Sequence, residues 1–204
     1  MPLIKEIVLA SNNAGKLKEL QALFEPLGLT LIPQSQLKIP EPEEPFHTFV
    51  ENALAKARHA SRWSGLPALA DDAGLCVDAF NGLPGVQTAF YCKQFGYPKS
   101  DDNNRKALLE QMQNIEHRRA ALVSTLVALR HADDPEPLIA SGRAVGEITH
   151  EPMGEEGFGF DPVMWIPSMQ MTFAQMTQED KNRLSHRGIA ARQMCQLMAE
   201  RWLA

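Results

Sequence analysis

The sequence predicts an α/β fold built on a mixed sheet, and three observations carry that expectation. First, Ile4 to Ala10 reads as a strand that runs into the small polar turn Ser11-Asn12-Asn13-Ala14-Gly15-Lys16 and then into a helical pattern. Second, Pro67-Ala68-Leu69-Ala70 is a short apolar run bounded by turn signals, with Asp71-Asp72 directly behind it. It reads as a buried strand whose acids sit at its end, where an α/β sheet usually opens its ligand crevice. Third, the runs Ala121 to Arg130 and Leu138 to Ile148 flank the turn Asp133-Asp134-Pro135 and suggest an antiparallel hairpin. Such a hairpin makes the sheet mixed rather than purely parallel.

The elements follow in order. After the polar turn, Leu17, Leu20, Phe24 and Leu27 recur on one helical face, and Gly28 is placed to cap it. Leu29 to Ile32 reads as a second strand, and the Pro- and Glu-rich stretch Gln34 to Pro45 as a loop. Thr48-x-x-Glu51 has the form of a capping box and opens a helix from Phe49 to Ser64. Phe49, Ala53, Ala57 and Ala60 form its apolar stripe, while Asn52 and Lys56, four apart, share another face. Beyond Leu75, Cys76 to Ala79 continues as a short strand, and Asn81-Gly82-Leu83-Pro84-Gly85 is dense in turn formers. Asp101 or Asp102 is placed to cap a helix carrying Ala107, Leu108 and Met112. Val163 to Ile166 reads as a strand. Thr177-x-x-Asp180 starts a helix, and Ile189 to Leu203 forms the last one.

Composition narrows the function. A chain of 204 residues with 44% hydrophobic residues can bury a real core. The net charge of −5 excludes a global basic field for long nucleic acid, although a few local cations still suit a phosphate. Three scattered cysteines, Cys76, Cys92 and Cys195, lack metal or disulfide spacing and fit a reducing compartment. The N-terminus has no signal-peptide pattern, and no apolar run nears the roughly 20 residues a membrane helix needs. A cytoplasmic protein that does not engage membranes is the expectation.

Several segments carry chemistry. The Ser11–Lys16 turn directs backbone N–H groups and a helix N-terminus at any arriving anion, with the Lys16 ammonium beside them. It is neither a Walker A motif nor GxGxxG, and an ordinary capped helix has the same form. Asp71-Asp72 either hold a divalent cation, which one or two carboxylates and a phosphate ester suit, or close an Asx-type turn. In Gly157-Phe158-Gly159-Phe160-Asp161-Pro162 the aromatics suit a flat ring and Asp161 a base edge, although the same pattern also makes a tight anchored loop. Lys181 and His186-Arg187 add cations, with a planar fork at Arg187. Together these residues suit a nucleoside triphosphate held with Mg²⁺ and attacked directly by water, since no Ser or Cys nucleophile comes with a recognisable base.

The same blocks resemble a known family. Ser11-Asn12-Asn13-x-Gly15-Lys16-x-x-Glu19, Thr48-Phe49-x-Glu51-Asn52-Ala53-x-x-Lys56-Ala57 and Asp71-Asp72-x-Gly74-Leu75 look like the noncanonical purine NTP pyrophosphatases. So do Gly82-x-Pro84-Gly85, Gly157 to Pro162 and Ser185-His186-Arg187-Gly188, and the six blocks span nearly the whole chain in order. The resemblance is to the inosine/xanthosine triphosphate (dITP/XTP) pyrophosphatase family. It implies hydrolysis of ITP, dITP and XTP to the monophosphate and pyrophosphate, with Mg²⁺ as cofactor and a homodimer as the usual assembly. It also implies one domain over residues 1–204, an elongated two-lobed α/β structure around a central mixed sheet flanked by helices, with the nucleotide between the lobes. By position, Ser11, Asn12, Asn13, Ala14, Gly15 and Lys16 would cradle phosphates and Lys56 would contact one. Asp72 would be the proton acceptor or metal-bound carboxylate, and Glu44 a metal ligand. Phe158, Gly159, Phe160 and Asp161 would hold the base, while Lys181, His186 and Arg187 would bind base and phosphate.

Two positions depart from the family pattern. Ala73, a substrate-binding position by the resemblance, stands where a Ser or Thr is common, so a hydrogen bond from that hydroxyl would be missing, and Thr88-Ala89-Phe90-Tyr91 replaces Ser-Ala-Arg-Tyr, which puts an Arg contact near the Pro-Gly turn in doubt. A pyrophosphatase acting on a different base is the alternative reading, because phosphates are better specified here than the base. A nucleotide-binding regulator that has lost the chemistry is the rival from another class.

Overall fold

The computed structural model describes residues 4–203. Seven strands hydrogen-bond in the order β2-β1-β3-β4-β5-β6-β7. They are β1 (Glu6–Leu9), β2 (Thr30–Pro33), β3 (Ala68–Val77), β4 (Arg119–Leu129), β5 (Leu138–Ile148), β6 (Met164–Ile166) and β7 (Met171–Thr172). The helices are α1 (Ala14–Phe24), α2 (Phe49–Ser64), α3 (Asp101–Gln111), α4 (Gln178–Leu184) and α5 (His186–Arg201). β1 pairs in parallel with β2 and β3, and β6 pairs antiparallel with β5 and β7, so the sheet is mixed as expected. Among the described residues no helix is long and apolar enough to cross a membrane.

The chain divides into two compact units. The first comprises the described parts of residues 1–72, 124–142 and 187–204, and the second residues 73–123 and 143–186. In the first unit the period-2 alternation of strands sorts side chains onto two faces. Ile7, Leu9, Leu69, Leu126 and Ala128 join one cluster with Leu20 and Phe24 of α1 and Ala190, Met194 and Met198 of α5. Val8, Ala10, Ala68, Ala70, Val127 and Leu129 join another with Ala53, Ala57 and Ala60 of α2. One face of these strands therefore belongs to α1 and α5, and the other to α2. The small alanines of α2 let its backbone approach the strands closely.

Helix α2 is bounded as its sequence predicts. Thr48 caps it, its Oγ1 accepting from Glu51 N–H at 3.4 Å and donating to Glu51 Oε2 at 2.6 Å, and Gly65 ends it at φ +71°. Strand β5 alternates buried and exposed along all eleven residues, the pattern of a strand with one covered face. The second unit has its own core, with Leu75, Val77, Tyr91, Leu108, Met112, Leu122, Phe160, Val163, Met164 and Phe173 among its members.

Several boundaries differ from the sequence expectation. The strand at Asp71-Asp72 does not end there; β3 carries both acids in its interior and runs on to Val77. Asp78–Phe80 forms a 3-10 turn instead of prolonging a strand, and Gly85–Phe95 forms a longer 3-10 segment. Pro26 ends α1 early, so Gly28 caps the short 3-10 turn Glu25–Leu27 at φ +69°. Ser100, not Asp101 or Asp102, caps α3, its Oγ accepting from Asn103 N–H at 3.1 Å. Helix α5 begins at His186, three residues before the apolar pattern that marked it.

Candidate functional site

In the first unit, β3 separates its two acids by strand geometry. Consecutive side chains point to opposite faces. Asp71 therefore follows Leu69 toward α1 and α5, and Asp72 follows Ala68 and Ala70 toward α2. Their partners are accordingly disjoint. Asp71 Oδ2 meets Lys16 Nζ at 3.1 Å and accepts from Arg187 Nε at 3.0 Å. Its Oδ1 accepts from Ser124 Oγ at 2.7 Å, and its backbone oxygen accepts a second bond from Lys16 at 3.3 Å. Arg187 Nη1 reaches Glu19 Oε2 at 2.7 Å. Asp72 Oδ1 accepts from Lys56 Nζ at 2.7 Å, and the same ammonium donates to Glu44 Oε2 at 3.0 Å. Asp72 Oδ2 is buried with no hydrogen-bond partner.

The electrostatics divide in the same way. Burial alone would raise Asp71, but the Lys16 ammonium and the Arg187 guanidinium overcome it and hold the carboxyl well below its usual range. Burial likewise opposes charge on Arg187, and Asp71 with Glu19 more than offsets it. Lys16 is lowered, chiefly by burial, and yet 18% of its side chain stays open to solvent. Asp72 is raised. Burial is the main cause, the negative Glu44 adds to it, and Lys56, helped weakly by Lys16, only partly compensates. Lys56 is raised, because two carboxylates outweigh its own desolvation. Asp71 is thus a saturated structural anion. Asp72 is a carboxylate with one open oxygen and an elevated affinity for positive charge, whether a proton or a metal.

The polar turn before α1 is held from both sides. Asn13 caps the helix, its Oδ1 accepting from Lys16 N–H at 3.1 Å, and Ser11 Oγ accepts from Asn13 N–H at 3.1 Å. Asn12 Nδ2 donates to Glu41 Oε1 at 2.8 Å, tying the turn to the acidic loop that carries Glu44. That loop is fixed again at its far end, where the buried Asn52 amide pairs with both backbone groups of Phe46 at 3.1 Å. Ala14 and Gly15 form the first turn of α1, where helix N–H groups face outward toward anions.

In the second unit the Gly/Phe loop closes on Asp161. Asp161 Oδ2 accepts from Phe158 N–H at 2.9 Å and from Lys181 Nζ at 2.8 Å. The Lys181 ammonium lies 4.8 Å from the centre of the Phe158 ring. Gly157 sits at φ +82°, and a Cβ there would stand 2.3 Å from Asp161 Oδ2, so only glycine fits. A cleft of about 280 Å³ lined by Glu156, Gly157, Phe173, Met176, Thr177, Gln178 and Lys181 adjoins this loop. A roomier cleft of about 650 Å³ is lined by Asp102, Arg105, Lys106, Leu109, Glu110, Gln113, Pro152, Gly154 and Pro162, which leaves Lys181 outside it.

Of the residues expected from sequence, the first unit brings Glu44, Lys56 and Asp72 into one set of charges and Lys16 and Arg187 into a second set around Asp71. The second gathers Phe158, Gly159, Asp161 and Lys181. Phe160 turns into the core, and His186 is buried at the start of α5. Ala73, on β3, is partly buried. The Arg187 guanidinium, expected at base or phosphate, is engaged by Asp71 and Glu19 with 3% of its side chain exposed. Sequence reasoning gave no role to Glu19 or Ser124. Their signals were present, Glu19 lying one helical turn beyond Lys16 and Ser124 being, with Thr125, one of two adjacent hydroxyls in a run of Leu and Val. Thr88 also has a structural task. Its hydroxyl donates to Gly85 O at 2.5 Å and accepts from Leu75 N–H at 2.9 Å. Phe90 is exposed, with Lys99 and Lys93 lying 4.2 and 5.2 Å from its ring centre.

Known proteins are similar to this chain over nearly their full length. The dITP/XTP pyrophosphatase of Albidiferax ferrireducens is 70% identical over 198 residues, covering 97% of this chain and all of the relative. That of Polaromonas naphthalenivorans is 69% identical over 201 residues, with 97% and 100% covered. Among solved structures, a HAM1 protein from Coxiella burnetii superposes with a TM-score of 0.89 at 42% identity, covering 97% of this chain and 100% of that one. The Staphylococcus aureus Ham1 protein gives 0.84 at 36% identity, with 96% and 99% covered. Residues 7–197 match the Ham1 family, and the chain belongs to that family.

Proposed function

We propose that this chain hydrolyses non-canonical purine nucleoside triphosphates, ITP, dITP and XTP, to the monophosphate and pyrophosphate. The relatives that cover the whole chain carry the name dITP/XTP pyrophosphatase. The single observation that carries the chemistry is Asp72, a buried carboxylate with one cation and one open oxygen. An acid raised by burial is suited to take a proton from attacking water. Lys16 and Lys56 neutralise phosphate oxygens as charge develops in the transition state. Lys16 has the exposure to do so.

The residues present also fit Mg²⁺. Among the described residues no group of three acids, histidines or cysteines is preassembled to hold a metal. Two carboxylates, Asp72 and Glu44, instead meet on one ammonium, and Asp72 keeps an unpartnered oxygen. Mg²⁺ is characteristically bound by one or two carboxylates together with substrate phosphates. Glu44 and Asp72 would hold it, and it would supply charge neutralisation at the phosphates. Arg187 acts here by fixing Asp71, and so the strand that presents Asp72.

Base recognition is assigned to the second unit. A ring laid against Phe158 would have the Lys181 ammonium and the Asp161 carboxylate within reach of its polar edge. A donor matched to a 6-oxo group meets the amino group of adenine badly, and an unpaired buried donor discriminates strongly. The finer reading is a cytoplasmic, Mg²⁺-dependent homodimer. The three free thiols fit the reducing compartment of that reading.

The test is pyrophosphate release from ITP, dITP, XTP, ATP and GTP, with and without Mg²⁺, and with D72N alongside. Turnover that favours ITP, dITP and XTP over ATP and GTP, and that is lost in D72N and on chelation, is the expected result. Equal turnover of ATP and ITP would sink the specificity, and orthophosphate as sole product would sink the reaction. Light scattering reads the dimer.

A further inference from the structure

The Gly/Phe loop has a second anchor that its own sequence does not announce. Asp161 secures one end of it by accepting from Phe158 N–H. The next residue, Gly159, is held from outside by α3. Gly159 N–H donates to Asp101 Oδ2 at 2.9 Å, and Gly159 O accepts from Arg105 Nη1 at 2.5 Å. Asp101 and Arg105 are four apart and so share one helical face. That face satisfies both polar groups of a single glycine. Arg105 is itself steadied through its other nitrogen, Nη2, by Asp102 one turn away. Ser100 takes the capping role, which leaves both acids of the first turn available for these contacts.

The arrangement is one of opposite charges aimed at the two backbone groups of one residue, which belong to the peptides on either side of it. A carboxylate accepts from the N–H and a guanidinium donates to the C=O, so both bonds are charge-assisted. Gly159 lies at φ +62°, with open space where a Cβ would stand. No neighbour crowds that position, and the peptide beside Phe158 is held at its C=O by Asp161 N–H at 3.2 Å and at its N–H by α3. We propose that Asp101 and Arg105 are positioning residues that set base selectivity by clamping Gly159, and with it the face that Phe158 and Lys181 present. This rests on the assignment of base recognition to the Phe158–Asp161 loop. Neither residue needs to touch the substrate.

The test is steady-state kinetics on ITP and ATP for the wild type, D101A, D101N, R105A and R105K, with Mg²⁺ present. A loosened loop raises KM for ITP about tenfold in D101A and R105A, the scale of one lost charge-assisted hydrogen bond. It narrows the ITP-to-ATP ratio of kcat/KM by a similar factor and leaves kcat within about twofold. D101N keeps an acceptor oxygen and R105K one donor, so both recover part of the selectivity. A merely structural role would lower kcat and stability together and leave the ITP-to-ATP ratio unchanged, which overturns the proposal. If R105A fails to fold, the D101A and D101N pair decides the matter by the same ratio. The wild-type arm separates the two claims. A wild type without 6-oxo preference removes the base assignment and the clamp with it, whereas a selective wild type with equally selective variants removes the clamp alone.

Discussion

Replacing each β3 acid in turn by its amide should give opposite phenotypes from adjacent positions. In Asp71→Asn the shape is kept, and Ser124 can still donate to the amide oxygen. The negative charge that faces both Lys16 and Arg187 disappears, and Arg187 loses the Asp71 half of its pairing while Glu19 remains. Breaking a buried ion pair by neutralising one partner costs about 3–5 kcal/mol. In a chain of this length each kcal/mol moves Tm by about 2–4 °C, so Tm should fall by about 6–20 °C. Asp72→Asn is different. Lys56 keeps Glu44, and the protein is relieved of a carboxylate that burial already disfavours. Its stability should change by about 1 kcal/mol or less, while activity falls by about 10²- to 10⁴-fold with the loss of the proton acceptor. Thermal unfolding and pyrophosphate release on the same two preparations check both halves. The reasoning is refuted if Asp72→Asn is the less stable variant, or if Asp71→Asn folds with parental Tm and loses activity alone.

Two further outcomes follow from the same contacts. Gly157→Ala must place a Cβ 2.3 Å from Asp161 Oδ2 at a φ of +82°, so the loop must open. KM for ITP should rise more than tenfold, on the scale of the Phe158–Asp161 bond and the backbone strain together, and a parental KM would contradict the close approach. Asp134 is held below its usual range first by the Arg130 guanidinium, at 2.8 and 2.9 Å, and also by the N–H groups of Arg130 and Glu136. An acid depressed in the folded state contributes stability above its unfolded pKa and loses it as pH falls through the folded one. Acid should therefore erode stability between about pH 5 and pH 2, and Asp134→Asn should flatten that slope, as followed by urea unfolding across the range. An unchanged slope would remove Asp134 from the account.

What could be read from the sequence depended on whether the signal was local. The capping pair Thr48–Glu51, the glycine at 65 and the alternation of Leu138 to Ile148 are properties of consecutive residues, and α2 and β5 formed as their patterns require. The polar turn at Ser11–Lys16 was legible for the same reason. Asp71-Asp72 was not, because two adjacent acids resemble the end of a strand unless their cations are known. Those cations come from α1, α2 and α5, which lie 16 to 116 residues away along the chain. The destination of Arg187 was hidden likewise, since nothing beside it in sequence announces Glu19. The α3 clamp was the least legible of all. Asp101 and Arg105 look like an ordinary solvated helix start, and their partner is a backbone with no side chain to signal it.

The strand period explains why both acids are needed in tandem. Asp72 is chemically useful because its second oxygen is unpartnered in a dry setting, and a carboxylate in that state weakens the strand that carries it. One residue earlier, on the other face, Asp71 gathers two cations and a hydroxyl and ties α1, α5 and β4 to the same strand. The under-satisfied group and its support are thus adjacent in sequence but separated by the thickness of the sheet. The Arg187 cation that stabilises one is kept away from the other, where an added positive charge would lower the proton affinity that suits Asp72 for its task. Separation of the two acids by one residue places them on opposite faces, whereas a spacing of two would place both on one face and merge the two charge sets.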